Sequence, residues 1–336
     1  MNIYDIAKIA NVSISTVSRV INDRPGVSDK VRKKVEKIIE EYNFRPNLLA
    51  RELTNKKTNV IGIVAPGVGN YFAERIRAIS STCKENGYSI MITTKSNGYE
   101  DVDGEIENFN LLYEKQVDGI IFFPSRITEK HKAVLDKIVP KTPVVVVGYE
   151  IKNVLLPCVV YDNYIGAKMA MRHLIENGHK KISIITGPEF EETSNQRLKA
   201  YLDTMNENNL PINKQYIKVG SFCMGSGYTK TLELLQCNSE RPTAIFAFND
   251  NMAIGAIKAI QESQLKVPEH ISVIGFDNIE TTAYTTPSLT TVYQDQHEIG
   301  LRAAETLINC IKDKTNKINK VVLEQELIVR ESVKKI

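Results

Sequence analysis

The chain has 336 residues, 42% of them hydrophobic, which is enough to bury a sizeable core and to form more than one domain. Its five cysteines are scattered without a Cys-x-x-Cys pair, which argues against a disulfide framework and against a zinc site. No stretch approaches the roughly 18 apolar residues that span a bilayer, and the N-terminus lacks an apolar signal core. We therefore expect a cytoplasmic protein with no membrane partner, no metal and no cofactor.

The net charge of +3 would not by itself indicate a nucleic-acid partner, but its distribution is uneven. Residues 1–60 carry 12 Lys and Arg against 7 Asp and Glu, a balance of +5, which leaves −2 for the rest of the chain. A small basic N-terminal segment on a larger, slightly acidic remainder is typical of a DNA-binding domain that is attached to another domain. A solvated charged face is the alternative that charge alone leaves open.

Two short helices are predicted at the N-terminus. Apolar residues recur at helical spacing from Ile3 to Ala10 and from Val17 to Ile21. Asn11, between them, tolerates the left-handed conformation of a tight turn, and Ser13 can cap the second helix. The residues outside the apolar stripe of that helix are Ile14, Ser15, Thr16, Ser18, Arg19 and Asn22. Short hydroxyls and one arginine suit a surface that contacts phosphates and bases, so the pattern favours a helix-turn-helix over a solvated helical hairpin.

A third helix is predicted to start at Ser28 and to close a three-helix core. Its residues at helical spacing are Val31, Val35, Ile38, Ile39 and Tyr42. Pro46 then breaks the pattern, and a short apolar segment follows at 47–55. Because a single helix of this length is marginal in water, we expect it to fold conditionally.

From Asn59 onward, short β-branched runs alternate with amphipathic helical segments. Examples of the runs are 60–64, 119–123, 144–148, 182–185 and 271–274. Such alternation predicts βαβ units and parallel sheets that are covered on both faces. The runs are too many for one sheet, so the sequence predicts an α/β body of two doubly wound lobes.

The N-terminal block resembles the DNA-binding headpiece of the lactose-repressor (LacI/GalR) family. The resemblance rests on linked motifs: I-Y-D-I-A from Ile3, V-S-x-x-T-V-S-R-V-I-N from Val12, V-S-x-x-x-R-x-K-V from Val27 and Y-x-F-x-P-N from Tyr42. It continues along the chain at Asp162-Asn163, Gly178-His179, Asn249-Asp250, Gly275-Phe276-Asp277-Asn278 and Arg330-Glu331-Ser332.

The resemblance implies a helix-turn-helix headpiece at 1–46, a hinge helix and linker at 47–58, and an effector-binding and dimerisation domain at 59–336. That domain would have a periplasmic-binding-protein-like fold. Its first lobe would comprise about 59–161 plus 292–321, and its second about 162–291 plus 322–336. The chain would cross between the lobes near Tyr161, near Val292 and near Val321.

The expected DNA partner is a pseudo-palindromic operator bound by a homodimer. Arg19 is expected to read guanine through O6 and N7, and by resemblance Leu53 would wedge into the minor groove. The full predicted DNA-binding set is Tyr4, Ser13, Ile14, Ser15, Thr16, Ser18, Arg19, Asn22, Asn47, Ala50 and Leu53. Tyr4, Thr16, Ser18 and Asn22 are expected mostly to hold phosphates, and Ile14 and Ser15 occupy positions that distinguish operators within the family.

A small effector is expected between the lobes, at the carboxyl ends of the strands. Positions that match effector-contacting positions of the family are Tyr71, Phe72, Asp162, Arg197, Phe222, Asn249, Asp250, Asp277 and Gln294. A sugar is favoured because Asp, Asn and Arg side chains bind vicinal hydroxyls. A purine-like corepressor is the alternative, because aromatic side chains could also sandwich a flat base.

The roles of two basic residues and the alternative classes of protein remain to be considered. Lys95 and Arg126 follow the second and third strands, where they could face an acidic or phosphorylated effector or simply be solvated. No phosphate-binding loop or nucleophile-elbow motif is present, so an enzyme is not expected. The alternative to a regulator is a ligand-binding protein with a vestigial headpiece.

Overall fold

The computed structural model describes residues 2–21, 23–44, 57–67, 69–94, 101–151, 154–236, 240–313 and 319–336. The chain divides into two compact units, Met1–Thr58 and Asn59–Ile336, and each is described by itself.

The first unit contains three helices, α1 (Ile3–Ala10), α2 (Ile14–Ile21) and α3 (Asp29–Glu41). Asn2 caps α1: its side chain accepts from the backbone N–H groups of Tyr4 and Asp5, while the Asp5 carboxylate accepts from the Asn2 N–H. Asn11 ends α1 in the left-handed conformation, with φ of 52°, as the sequence predicts. The predicted cap of α2 is also present, because Ser13 Oγ accepts from the Thr16 N–H at 3.1 Å.

The three helices enclose one apolar core. Its buried residues are Ile6, Ala7, Ala10, Val17, Val20, Val35, Ile38 and Phe44. The predicted three-helix core is thus present, with one correction. Tyr42 follows the end of α3 and is exposed, and Phe44 supplies the buried aromatic ring instead. The expected hinge helix lies outside the described residues.

The second unit alternates strands and helices along most of its described length. In chain order they are β1 (Val60–Ala65), α4 (Asn70–Glu85), β2 (Ser89–Thr94), α5 (Val102–Glu114), β3 (Gly119–Phe122), α6 (Glu129–Ile138), β4 (Val144–Val147), β5 (Cys158–Tyr161), α7 (Asn163–Glu176), β6 (Ile182–Thr186), α8 (Glu192–Glu207), β7 (Ile217–Val219), α9 (Met224–Gln236), β8 (Ala244–Ala247), α10 (Asp250–Glu262), β9 (Ser272–Asp277), β10 (Thr290–Tyr293), α11 (Gln296–Lys312), β11 (Lys320–Leu323) and β12 (Glu326–Ile328).

The strands form two six-stranded sheets, each the centre of one lobe. The first sheet has the order β11-β5-β4-β3-β1-β2 and is parallel throughout. The second has the order β12-β10-β9-β8-β6-β7 and is parallel except for β12, which runs antiparallel to β10. The central strands are buried on both faces because helices cover both sides. The predicted α/β body with two doubly wound lobes is confirmed.

The chain passes between the lobes three times. The first passage follows β5, as expected near Tyr161. The second comes directly after Tyr293, next to the expected Val292, because β10 lies wholly in the second sheet. The third comes after Leu323, two residues beyond the expected Val321, because β11 lies wholly in the first sheet. Helix α11 belongs to the first lobe, where its residues Ile299 and Leu307 pack into the same core as Ile79 of α4.

Candidate functional sites

Helix α2 buries one face and presents the other to solvent. Val17 and Val20 enter the core, whereas the exposed positions are Ser13, Ile14, Ser15 and Arg19. Thr16 and Ser18 are half-buried, and Tyr4, on α1, is 66% exposed. The structure therefore places all seven of these predicted DNA contacts at least partly at the surface. The other four, Asn22, Asn47, Ala50 and Leu53, lie outside the described residues.

The exposed end of α2 is ordered by its own hydroxyls. Ser13 Oγ lies 2.7 Å from Ser15 Oγ and 2.8 Å from Thr16 Oγ1. At the other end, a Cβ placed on Gly26 would lie 3.1 Å from the Arg19 guanidinium, so this side chain lies against the turn that follows α2. A hydroxyl-lined helix start followed by an arginine one to two turns later is suited to contact with the phosphates and base edges of one major groove.

The second unit contains a cavity of about 150 Å³ in the cleft between its lobes, where residues that follow strands of both sheets converge. Two of the predicted effector residues, Tyr71 and Phe72, reach it from α4 of the first lobe. Gln294 reaches it from the second passage between the lobes. The predicted effector residues that line it are Tyr71, Phe72, Arg197, Phe222, Asn249, Asp277 and Gln294.

Asp162 and Asp250 do not line this cavity. Asp162 is exposed, and its Oδ1 caps α7 by accepting from the Ile165 N–H at 3.0 Å. Asp250 is fully buried; it accepts from Thr291 Oγ1 at 2.6 Å and from the Ile279 N–H at 2.8 Å. A Cβ on Gly275 would lie 2.2 Å from Asp250 Oδ1, so only glycine fits there. Asp250 therefore fixes the loop after β9 from behind the cavity wall.

Arg197 is held rigidly although its side chain is almost completely buried. Asn163 Oδ1 accepts from its Nε at 3.0 Å and from its Nη2 at 2.7 Å, and the carbonyl oxygen of Phe248 accepts from Nη1. Its Cζ lies 3.6 Å from the centroid of the Phe276 ring. Burial lowers the pKa of Arg197, and the nearby Asp277 carboxylate opposes that effect. The guanidinium is thus oriented before any ligand arrives.

Asp277 lines the cavity with a carboxylate oxygen that accepts no hydrogen bond from the described residues. Its side chain is 6% exposed, and Oδ1 is buried without a hydrogen-bond partner among the described residues. The Arg197 Nη2 lies 3.9 Å from this oxygen. Burial raises the pKa of Asp277 to about 7, and the charges of Arg197 and Arg75 limit the rise. Its backbone φ of 112° is unusual for a residue with a side chain, which marks a constrained position at the end of β9.

The aromatic side chains of the cavity belong to both lobes. The rings of Tyr71 and Phe72 meet edge to face, with centroids 5.2 Å apart. Phe222, on the opposite lobe, has a φ of 61° and packs over Gly187, where any Cβ would collide with the ring. The Phe222 carbonyl accepts from Asn249 Nδ2 at 2.9 Å, while Asn249 Oδ1 caps α10. Asn249 therefore shapes the wall as well as lining it.

Several lining residues were not predicted. Arg75 is the most informative, because it follows Tyr71 by one helical turn and the i, i+4 spacing could have indicated it. Asn163 belongs to the Asp162-Asn163 motif at a strand end, although only Asp162 of that pair was named as an effector contact. Glu191 and Thr193 stand at the start of α8, and no local pattern separates them from solvated residues. Arg126 is not among the lining residues; its guanidinium lies over the ring of Phe190, a residue of the other lobe. Lys95 lies outside the described residues.

Two absences apply to the described part of the chain. It contains no helix with the length and apolar character to cross a membrane. Nor does it bring together three His, Cys, Asp or Glu side chains in an arrangement that could hold a metal ion.

Comparison with known proteins agrees with this geometry. Residues 2–47 match bacterial regulatory proteins of the lacI family, and residues 171–333 match the periplasmic binding protein-like domain. The HTH-type transcriptional repressor PurR of Aliivibrio salmonicida (strain LFI1238) is 36% identical over 335 residues, which is 99% of both chains. A lac repressor dimer bound to operator and the anti-inducer ONPF superposes with a TM-score of 0.90 at 27% identity, covering 99% of both chains. The transcriptional regulator CelR in complex with cellobiose gives a TM-score of 0.74 at 26% identity, with 99% of each chain covered. The chain therefore belongs to the lacI family of bacterial regulatory proteins and is a DNA-binding transcriptional repressor, not an enzyme.

Proposed function

We propose that this repressor binds a pseudo-palindromic operator as a homodimer and that a sugar or sugar derivative in the cleft controls it. One α2 offers few side chains to a groove, so two headpieces related by a dyad are needed for tight and specific binding. The similar lac repressor was solved as a dimer on its operator, which supports this assembly. Sedimentation of the free protein and of its complex with operator tests it, and a monomer in both states would contradict it.

The observation that carries the sugar proposal is the pairing of an unused acceptor with a fixed donor. Asp277 Oδ1 and the Arg197 guanidinium lie side by side on the second lobe. A vicinal diol can donate one hydroxyl to the carboxylate and accept at its neighbour, so it satisfies both groups at once. Leaving the buried oxygen unpaired costs about 1–3 kcal/mol, which a donating ligand would recover.

The aromatic residues favour a sugar over a purine-like base. A flat base needs a free ring face, ideally between two parallel rings. The Arg75 guanidinium lies over the Tyr71 ring, with Cζ 4.4 Å from the ring centroid. The Phe72 ring is buried and lies edge-on to the Tyr71 ring. Phe222 offers one aromatic ring from the second lobe, which suits the apolar face of a sugar ring. The cellobiose complex of the similar CelR agrees with this interpretation.

Regulation follows from the position of the site between two lobes. A ligand that contacts Tyr71 on the first lobe and Asp277 on the second stabilises the lobe arrangement that brings both within reach. It can shift the balance between arrangements only by the difference in its affinity for them. We propose that this shift changes how the two headpieces of the dimer engage the operator.

A thermal-shift and calorimetric screen of sugars, sugar acids, sugar phosphates and nucleobases tests the proposal. We expect at least one hydroxylated ligand to stabilise the protein and to change operator affinity in a gel shift. Arg197→Ala should weaken that ligand at least tenfold, whereas Arg172→Ala, at an exposed arginine of the same lobe, should leave it unchanged. Stabilisation by a nucleobase alone would overturn the sugar proposal. Absence of salt-dependent operator binding would favour a ligand-binding protein with a vestigial headpiece.

A further inference from the structure

Arg75 is a buried cation that makes no ion pair with a carboxylate among the described residues, although its charge also acts to lower the pKa of Asp277. Its side chain is 5% exposed. Its Nε donates to Gln296 Oε1 and its Nη2 donates to the Tyr71 hydroxyl at 2.6 Å, and both acceptors are neutral. Among the described residues no Asp or Glu oxygen lies within 4.0 Å of its guanidinium. Arg197, by contrast, has Asp277 at 3.9 Å. A buried charge without an ion-pair partner is costly, so fold stability alone does not account for Arg75.

The geometry leaves one edge of this guanidinium for a ligand. Nε and Nη2 are held by Gln296 and Tyr71, and Cζ lies over the Tyr71 ring, 4.4 Å from its centroid. Nη1 donates to no acceptor within the described part of the chain, and Arg75 lines the cavity. A fixed fork with free N–H groups is the arrangement that binds carboxylate and phosphate oxygens.

The charges of the cavity are divided between the lobes. The charged lining residues of the second lobe are Glu191, Arg197 and Asp277, whereas Arg75 is the single charged lining residue of the first lobe within the described ranges. The second-lobe wall therefore offers an acceptor and a donor to hydroxyls. The first-lobe wall offers a positive charge that has no ion-pair partner among the described residues. A ligand complementary to both walls is hydroxylated at one end and anionic at the other.

We propose that Arg75 forms a subsite for a carboxylate or phosphoryl group, so that the effector is a sugar acid or a sugar phosphate rather than a neutral sugar. This inference rests on the proposed function, because it places hydroxyls at Asp277 and Arg197 and adds an anion at Arg75. The two anionic groups share the same recognition chemistry, and the experiment separates them.

Isothermal titration calorimetry of the full-length protein with matched ligands provides the test. The ligands are D-glucose, D-galactose and D-ribose, each with its aldonate or uronate and with its terminal phosphate. We expect one anionic ligand to bind at least tenfold more tightly than its neutral parent. Whether that ligand is the acid or the phosphate identifies the anion. Arg75→Gln, which keeps hydrogen-bond donors but removes the charge, should reduce the preference to less than threefold.

Controls separate recognition from folding. Arg77→Gln changes an exposed arginine of the same helix and should keep the full preference. Arg75→Lys keeps a positive charge and should therefore keep part of the preference for the anionic ligand. The melting temperature of each variant without ligand checks that it folds. Equal binding of neutral and anionic ligands, or equal weakening of both by Arg75→Gln, would overturn the anionic subsite and leave the sugar proposal standing. Binding of nucleobases alone would overturn both.

Discussion

Asn163 accepts two hydrogen bonds from Arg197, one from Nε at 3.0 Å and one from Nη2 at 2.7 Å. Asn163 is the first residue of α7 and Arg197 lies on α8, so this contact ties together two helices of the second lobe. It also sets the plane in which the guanidinium meets the cavity. The orientation of the Arg197 guanidinium therefore depends on Asn163, an uncharged residue that a search for charged residues would not find.

Asn163→Ala should weaken effector binding and destabilise the protein. It removes the acceptor of two bonds from a buried cation, and leaving such donors unsatisfied costs about 1–3 kcal/mol of the free energy of unfolding. Urea denaturation measures that loss, and calorimetry should show effector affinity at least tenfold lower. Asn206→Ala, at an exposed position of α8, is the matched control and should leave both quantities unchanged. Unaltered affinity in Asn163→Ala would show that Arg197 needs no such orientation.

The buried carboxyl of Asp277 should make stability depend on pH near neutrality. Burial raises its pKa to about 7, above the ordinary value of 3.8, so the folded state holds a proton that the unfolded state has released. The stabilisation that comes from this bound proton is fully present below about pH 4. It decreases as the pH rises and is lost above about pH 7. Asp250, also buried and raised in pKa by burial and by Asp277, changes in the same direction.

Denaturant unfolding of the wild type and of Asp277→Asn between pH 4 and 8 measures this effect. The stability of the wild type relative to the variant should fall with rising pH, by at most about 1.4 kcal/mol per pH unit for one proton. A sugar hydroxyl donating to the ionised carboxylate lowers its pKa, so effector affinity should rise with pH and level off above about 7. The same pH slope in Asp277→Asn would assign it to other groups.

Thr291 and Asp250 should be energetically coupled. The Thr291 hydroxyl donates to Asp250 Oδ1 at 2.6 Å, and both side chains are fully buried. Thr291→Val keeps the shape but removes the donor, and we expect a loss of about 1–3 kcal/mol. Asp250→Asn should also destabilise, because an amide nitrogen in place of Oδ2 cannot accept from the Ile279 N–H. A double-mutant cycle should give a coupling energy above about 0.5 kcal/mol. If the destabilisations of the two single variants simply add in the double variant, the contact contributes nothing to stability.

Local signals allowed the helix-turn-helix to be predicted closely. Asn11 in the left-handed conformation and Ser13 as a helix cap are decided by the residues themselves and their immediate neighbours. The alternation of apolar strands with helices likewise predicts two parallel sheets. Strand ends indicate the region of the cleft, because parallel strands point their carboxyl ends to one edge.

Residue-level prediction of the cleft was less complete because it depends on tertiary packing. Asp250 and Asp277 both stand at strand ends, yet one turns behind the wall and the other lines the cavity. The i, i+4 spacing from Tyr71 places Arg75 on the cleft side of α4, but its burial depends on α11, which brings Gln296 beside it. Such distinctions arise from how α4 and α11 pack, and no short stretch of sequence contains them.

Arg19 should determine base preference at one position of the operator. It is exposed on α2, between one and two turns from the polar start of the helix, with its guanidinium against Gly26. An arginine fork can donate to both O6 and N7 of one guanine, which is worth about 1–3 kcal/mol of discrimination. Arg19→Ala should therefore lose about that much binding free energy on the best operator and should relax selection at a single base pair in each half-site.

Selection of binding sites from a randomised operator library, followed by titration at two salt concentrations, tests this assignment. Lys37→Ala removes one exposed positive charge from α3 and is the matched control. Because a charge that acts only on phosphates carries no sequence information, Lys37→Ala should leave the selected sequence unchanged whatever it does to affinity. Arg19→Ala should instead change the selected sequence at one position. If Arg19→Ala weakens every sequence equally and the selected operator stays the same, Arg19 contacts the backbone and another residue of α2 reads the guanine.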